Sequence, residues 1–229
     1  MTARPDRPGP VTWLTEDEQA WREHVADFAE KSVAPRAADM DRAARLAPDL
    51  VTGLRSAGLM AIQTPERYGG RGRGLFDVIV AIEELAKADP AVAVFVDVQN
   101  ALVTQALLSH GSGDQKRAHL TALAGGGVGA FALSEEQAGS DALALSTTAR
   151  PDGDGFVLHG RKRWITNAAE ADLFLLLARV PEQGVTAFLV DRRADGLTVG
   201  ERTPKMGIRA TSTCEVRLSG VRVPRRGVL

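Results

Sequence analysis

The chain has 229 residues, of which 44% are hydrophobic, and its 28 Lys and Arg residues balance 29 Asp and Glu residues. That length allows one large or two small domains with a sizeable core, and the even charge balance gives no reason to expect nucleic-acid or membrane binding. The single cysteine, Cys214, excludes an internal disulfide and a cysteine metal cluster and is typical of a reducing compartment. Residues 1–13 carry charge and three prolines but no apolar core of signal-peptide length, so a cytoplasmic protein is expected.

Five helices are predicted in the first half of the chain, near residues 15–35, 48–58, 75–88, 91–109 and 113–124. The first opens with a capping box, in which Thr15 is the N-cap and Glu18 its partner, and Pro35 is expected to end it. Gly58 is expected to end the second helix. The most apolar window, 91–108, is interrupted by three polar residues and therefore falls short of a membrane span.

Three consecutive glycines, 125–127, mark a change from helical spacing to the alternation of strands. Six strands are predicted, at residues 128–133, 143–149, 156–158, 173–180, 185–190 and 214–218. Turn residues at 151–155 and 181–184 predict hairpins. A helical half followed by a β half predicts an α+β fold, with an all-α domain over residues 1–126 and a β-barrel or sandwich-like domain over residues 127–229.

Several common catalytic and metal-binding patterns are missing from the sequence. The four histidines have no paired-ligand spacing, so no metal site is expected. The glycine-rich stretch 69–74 has no preceding strand and no following Lys-Ser/Thr pair, which favours a flexible loop over a phosphate loop. Ser140 has no neighbouring histidine or nucleophile-elbow glycines, so a hydrolase triad has no support.

The segment 129–142 has a pattern that suits a flat ring cofactor. An apolar strand runs into a polar loop, so the strand end can offer backbone N–H groups and a hydroxyl to the ring's polar edge. A flavin needs such donors where negative charge collects on reduction. The small residues Ala138, Gly139 and Ser140 would let the backbone approach a phosphate closely. The same pattern also fits an ordinary strand and loop.

A second segment, 162–168, places a large aromatic side chain near a hydroxyl. Trp164 and Thr166 are two positions apart, and therefore on the same face of a strand. Trp164 could cover one face of a ring while Thr166 hydrogen bonds its edge. A core tryptophan on a half-buried strand explains the pattern as well.

Four stretches together resemble the acyl-CoA dehydrogenase family. Residues 131–142, FALSEEQAGSDA, are similar to its signature of an apolar triplet, Thr-Glu-Pro and then Ala-Gly-Ser-Asp. Residues 162–168, KRWITNA, resemble its second flavin motif, and residues 205–224 resemble the stretch that closes its middle β domain. Residues 65–70, PERYGG, with the helix ending at Ala86, resemble its α domain, and all four stretches occur in family order.

The resemblance implies FAD as the cofactor. The positions that match cofactor-lining residues are Phe131, Ala132, Leu133, Ser134, Gly139, Ser140, Trp164, Ile165 and Thr166. Ser140 would also meet the pantetheine of the substrate, and Asp141 would brace the loop. Ser134 replaces the usual threonine and keeps its hydroxyl, whereas Glu136 replaces the usual proline, which would loosen the loop and add charge.

The implied activity is the α,β-dehydrogenation of an acyl-CoA or a carrier-bound acyl thioester, with hydride transfer to flavin N5. The family's base is a glutamate in a C-terminal four-helix domain that the sequence does not reach, so no catalytic residue is assigned and neither Glu135 nor Glu136 is given that role. The chain is expected to be truncated before this domain, with three explanations open: the sequence is a fragment or a shortened gene product, a partner chain carries the domain, or the protein is a non-catalytic flavin or thioester binder. The resemblance also implies a homo-oligomer and an electron-transfer flavoprotein as partner. Two alternatives stay open: a non-catalytic flavin- or thioester-binding subunit of a heteromeric complex, and a flavin monooxygenase or oxidase on the same fold.

Overall fold

Helices occupy the first half of the chain and strands the second in the computed structural model, which describes residues 13–229. Residues 1–12 lie outside the described residues, and so does most of the 1–13 segment for which no signal peptide is predicted. The α-helices are α1 (Glu16–Phe28), α2 (Ala37–Ala43), α3 (Leu50–Ser56), α4 (Leu75–Ala88), α5 (Pro90–Asp97), α6 (Gln105–His110), α7 (Gly113–Gln115) and α8 (Thr121–Ala124).

The start of α1 confirms the predicted capping box. The Thr15 hydroxyl accepts from the Glu18 N–H at 3.3 Å, and the Glu18 carboxylate accepts from the Thr15 N–H at 2.7 Å. The prediction that Pro35 ends the run is wrong, because the chain continues through a π-helical segment and a 3-10 turn into α2. Pro35 lies at the start of that turn, where its missing N–H removes no helical hydrogen bond.

The helical stretch Pro90–His110 lies at the centre of the α half. It consists of α5, a π-helical segment (Val98–Thr104) and α6. The prediction that its polar residues make it fall short of a membrane span is wrong by length and composition, since its mean hydropathy is 1.5 over a helix of 21 residues. However, 61% of that apolar window is buried inside the chain, as in a core helix. Asn100 ties this stretch to the segment after α3: its side chain accepts from the Ile62 N–H and donates to the Leu59 carbonyl, both at 2.9 Å.

The second half of the described chain contains seven strands, which confirms the α+β class. They are β1 (Gly129–Ala132), β2 (Thr148–Asp152), β3 (Gly155–Thr166), β4 (Leu173–Val180), β5 (Gly184–Asp191), β6 (Leu197–Arg202) and β7 (Thr213–Pro224). They form one mixed sheet in the order β1-β4-β2-β3-β7-β6, with β5 also paired to β4. β1 runs parallel to β4, and β3 pairs antiparallel with both β2 and β7.

Two predicted strands need correction, and one strand was missed. The strand predicted at 156–158 extends over Gly155–Thr166 as β3. The predicted strand at 143–149 does not form as such, since Ala142–Ala144 is a 3-10 turn and β2 begins only at Thr148. The backbone N–H groups of Ser146 and Thr147 donate to the Glu135 carboxylate instead of a neighbouring strand. β6 was not predicted at all. Both predicted hairpins are confirmed, since β2–β3 turns at 151–155 and β4–β5 at 181–184.

The two halves are joined by a shared apolar cluster. Each half has its own core, and a third cluster lies between them. In that third cluster, Val103 and Leu107 of the helical half pack with Leu173 and Leu175 of β4. β1, the first strand, therefore lies where the halves meet, and the sequence segment that follows it begins at this boundary.

Candidate functional site

β1 and the segment after it carry the first group of predicted site residues. Phe131 packs against the cluster between the halves, whereas Ala132 is fully buried in the β core. Leu133 and Ser134 follow as half-buried residues at the strand end. Because the side chain of Ala132 faces the core, this position can offer a ligand only its backbone.

A buried ion pair lies directly under this strand end. The Lys162 ammonium, fully buried on β3, is 2.7 Å from the Glu135 carboxylate and donates to the Leu133 carbonyl at 2.9 Å. The same carboxylate accepts from the Ser146 N–H and hydroxyl, both at 2.6 Å, and from the Thr147 N–H at 3.0 Å. One side-chain pair thus connects β3, the end of β1 and the segment before β2.

The surroundings of this pair keep the carboxyl ionised. Burial alone would raise the pKa of Glu135, but the hydrogen bonds from Lys162, Ser146 and Thr147 outweigh burial and lower that pKa to about 2. Burial lowers the pKa of Lys162, and the Glu135 carboxylate opposes that change. We regard both groups as charged at neutral pH, because the carboxylate accepts from four donors. A carboxylate this acidic and this enclosed is unsuited to removing a substrate proton.

The second motif is attached to the first by the residue next to Lys162. The Arg163 N–H donates to the Ser134 carbonyl at 2.9 Å, and the Arg163 guanidinium is 2.8 Å from the Glu136 carboxylate. The same guanidinium lies 5.3 Å from the centroid of the Trp164 ring. The charge that Glu136 adds is therefore paired with β3 through Arg163, and the loosening of the loop by the missing proline stays a prediction.

Trp164 is exposed because β3 contains a bulge. In the pairing of β3 with β7, Lys162 is opposite Val216 and Ile165 is opposite Cys214, so two residues of β3 face one of β7. Trp164 has a φ of 58°, an uncommon value for a bulky residue, and its side chain is 48% exposed. Ile165 is buried in the β core, and Thr166 follows as a half-buried residue. The exposure of the indole depends on the bulge rather than on regular alternation, and the alternative of a core tryptophan is wrong.

The polar loop after Ser134 is open. Gly139, Ser140 and Asp141 are exposed, and a Cβ added at Gly139 would meet no atom within 4 Å. The hydroxyl of Ser140 makes no hydrogen bond with any described residue, and neither does the Asp141 carboxylate, so bracing by Asp141 stays a prediction. The space around Gly139 is the room that close approach of a ligand phosphate requires.

The polar groups at the strand ends fit the edge of a flavin. The hydroxyls of Ser134 and Thr166 and the indole N–H of Trp164 make no hydrogen bond within residues 13–229, although the backbones that carry them are fixed. A cavity of about 320 Å³ borders Trp164 and Arg163 and is otherwise lined by Gly200, Glu201, Thr203, Glu215 and Arg217. Neither Ser134 nor Thr166 lines that cavity. Unpaired hydroxyls on the two motifs, together with a half-exposed aromatic ring, are the groups that a planar, hydrogen-bonding ligand needs.

Two structural residues of the site were missed by sequence reasoning. Lys162 lies within the 162–168 motif between two arginines, a position that suggests a solvent-facing side chain. Asn167, fully buried with a φ of 64°, donates to the Phe95 carbonyl at 3.0 Å and so fixes the end of β3 to α5. Its Oδ1 has no partner among the described residues. The only local signal was Asn itself, the residue type most tolerant of positive φ after glycine.

Comparison with known proteins gives the family. Two family models match, the acyl-CoA dehydrogenase N-terminal domain over residues 15–127 and the acyl-CoA dehydrogenase middle domain over residues 130–221. The chain is 45% identical to a probable short/branched chain specific acyl-CoA dehydrogenase of Dictyostelium discoideum, over 96% of this chain and 54% of the relative. Mammalian relatives of the same kind are named as mitochondrial.

Solved structures agree with this assignment. Butyryl-CoA dehydrogenase from Megasphaera elsdenii has a TM-score of 0.90 at 32% identity, covering 95% of this chain and 59% of that one. A glutaryl-CoA dehydrogenase from Mycobacterium smegmatis, solved in complex with FADH2, has a TM-score of 0.89 at 31% identity, covering 94% and 55%. The chain spans about half the length of the curated relatives it matches. Since the two matched models together take in most of its residues, the chain belongs to the acyl-CoA dehydrogenase family.

Proposed function

We propose that this chain provides the flavin-facing part of an FAD-dependent oxidoreductase that dehydrogenates an acyl thioester between its α and β carbons. The observation that carries the proposal is the junction of the two motifs. The Arg163 N–H holds the Ser134 carbonyl, and Trp164 and Thr166 follow directly on β3. Bound FAD would supply the acceptor for the hydride that leaves the β carbon.

The chain's own residues would bind the cofactor and orient it and the substrate. Trp164 would cover one face of the ring, and the hydroxyls of Ser134 and Thr166 would donate to its polar edge. Gly139 and Ser140, on the open loop, would admit the phosphates of the cofactor and the pantetheine of the substrate. Phe131, Leu133 and the backbones of Ala132 and Ile165 complete the cofactor-lining set as predicted.

Neither carboxylate of the signature segment is proposed as the base. Glu135 is enclosed in its ion pair, and Glu136 is engaged with Arg163. We propose that the base comes from residues corresponding to the part of the relatives that this chain does not match. Short and branched acyl thioesters are the first substrates to test, because the Dictyostelium relative is named for them. A homo-oligomer, an electron-transfer flavoprotein partner and a cytoplasmic location complete the proposal.

Titrating FAD into the purified full chain tests the cofactor step. The wild type should quench flavin fluorescence with saturation, and Trp164→Ala should bind about tenfold or more weakly, as expected for the loss of one stacked ring. Trp13→Ala is the matched control, since Trp13 is 99% exposed. Equal affinities of the two variants would refute the proposed ring site, and absence of FAD uptake by the wild type would favour the non-catalytic binding subunit.

A test of the reaction class needs the chain together with the residues that supply the base. With the part of the Dictyostelium relative that this chain does not cover supplied in trans or fused, a short branched acyl-CoA should bleach the flavin without oxygen. Slow reoxidation in air identifies a dehydrogenase, whereas rapid reoxidation with release of hydrogen peroxide would identify an oxidase and overturn the assignment. An unbleached flavin in the reconstituted protein would argue against acyl thioester oxidation.

A further inference from the structure

The peptide that joins Leu133 to Ser134 is held by a buried cation. Its carbonyl accepts from the Lys162 ammonium at 2.9 Å, and that ammonium is fully buried. The next carbonyl, that of Ser134, accepts from the Arg163 N–H at 2.9 Å. Both peptides that flank Ser134 are therefore fixed by consecutive residues of β3.

The donors of Ser134 have no partner in the part of the chain that the structure describes. Neither its N–H nor its hydroxyl donates to any residue among 13–229, although Ser134 is half-buried. A trans peptide is planar, so its N–H points opposite to its C=O. With the Leu133 carbonyl directed at Lys162, the Ser134 N–H is directed away from the ion pair.

An ammonium bound to a carbonyl oxygen also makes the N–H of the same peptide a stronger hydrogen-bond donor. Hydrogen bonds polarise one another in a chain, and contacts with an ionised partner are about twice as strong as neutral ones. The Ser134 N–H is thus both aimed and strengthened. Such a donor stabilises a ligand most strongly in the state that carries negative charge next to the N–H.

We infer that Lys162, held by Glu135, is a positioning residue that aims and polarises the Ser134 N–H toward the pyrimidine edge of the flavin, so that the site favours reduced over oxidised flavin. This inference rests on the proposed function for its ligand. The ion pair itself is a feature of the chain without ligand, and it can be tested there separately.

The first test needs no flavin. Lys162→Met in the full chain should let deuterium enter the backbone of residues 133–140 about tenfold faster or more, because Ser134 loses one anchor. Glu84→Gln is the matched control: Glu84 is also buried and paired, 2.7 Å from both Arg22 and Lys87, but it lies in the helical half. Unchanged exchange in Lys162→Met, or the same increase in both variants, would overturn the positioning role.

The second test measures the reduction potential of bound FAD. If Lys162→Met weakens the binding of reduced FAD about tenfold more than the binding of oxidised FAD, the reduction potential of FAD bound to the variant falls by about 30 mV. A merely structural role would weaken both states equally and leave the potential unchanged, and that result would overturn the polarising role. Glu84→Gln should keep the wild-type potential.

A second variant covers the case in which Lys162→Met does not fold. Glu135→Gln/Lys162→Met removes both charges and leaves no unpaired buried ion, and it should show the same two changes. If the wild type takes up no FAD, the proposed function fails, and the exchange of residues 133–140 still decides whether Lys162 fixes the segment.

Discussion

The ion pair of Glu135 and Lys162 should make folding stability depend on acid pH in a measurable way. Glu135 has a pKa of about 2 in the folded chain against an ordinary 4.5, and its side chain is 3% exposed. That difference corresponds to about 3 kcal/mol of stability at neutral pH. The perturbation is the double variant Glu135→Gln/Lys162→Met, which keeps similar volumes but carries no charge at either position.

The sign follows from the lowered pKa. Because the folded chain binds this proton less readily than the unfolded chain, the stabilisation is complete above about pH 5. It declines as the pH falls from 4.5 toward 2 and is absent at lower pH. The free energy of unfolding of the wild type, minus that of the double variant, should therefore fall by about 2 kcal/mol between pH 5 and pH 3.

Urea unfolding followed by far-UV circular dichroism at each pH measures this difference. Other carboxylates, including Glu84, titrate in both proteins and cancel. The sign of the difference at pH 7 is not diagnostic, because a well-packed neutral pair can equal a buried ion pair in stability. A difference that stays constant within about 0.5 kcal/mol from pH 5 to pH 3 would refute the reasoning, since it would mean that Glu135 has the same pKa in the folded and the unfolded chain.

Four other substitutions test the packing and the loops. A Cβ at Gly70 would lie 2.0 Å from the Thr64 carbonyl oxygen, so Gly70→Ala should lower the free energy of unfolding in urea by about 2 kcal/mol. A Cβ at Gly139 would have no atom within 4 Å, so Gly139→Ala should keep the thermal midpoint and weaken FAD binding. Asn100→Ala removes three buried hydrogen bonds and should cost about 3 kcal/mol; a loss below about 1 kcal/mol would contradict the central role of this side chain. Ile208, exposed and β-branched, has a φ of 54°, so Ile208→Gly should stabilise the chain by about 1 kcal/mol, and a lowered thermal midpoint would argue against strain there.

The sequence predicts those elements in which local signals and packing agree. The predicted bounds 75–88 and 173–180 are those of α4 and β4, because apolar periodicity, flanking turns and burial all point the same way there. The Thr15 capping box is equally local, since its donors and acceptors lie within one turn. Pro35 shows the limit of such signals, because a proline ends a helix only where its N–H is needed.

The candidate site was predictable in its residues but not in its architecture. Resemblance located Ser134 and Trp164, and their contact with a ligand stays a prediction. The Lys162–Glu135 pair could not be read locally, because its partners are 27 residues apart and Lys162 lies between two arginines. The missing strand at 143–149 has the same cause, since Glu135 takes the N–H groups that a strand would have used. In both cases a long-range carboxylate overrides a local pattern.

The bulge at Arg163 and Trp164 explains how one strand serves both the core and the site. In a regular strand side chains alternate, so an inward Lys162 would place Ile165 outward and Trp164 inward. The structure keeps both Lys162 and Ile165 buried and leaves Trp164 exposed, which is impossible without one extra residue. The cost is concentrated at Trp164, whose φ of 58° is unfavourable for a large side chain. It follows that the buried ammonium beneath Ser134 and the open indole beside it are coupled: a shortened strand that removed the bulge would expose the lysine or bury the tryptophan, and could not keep both.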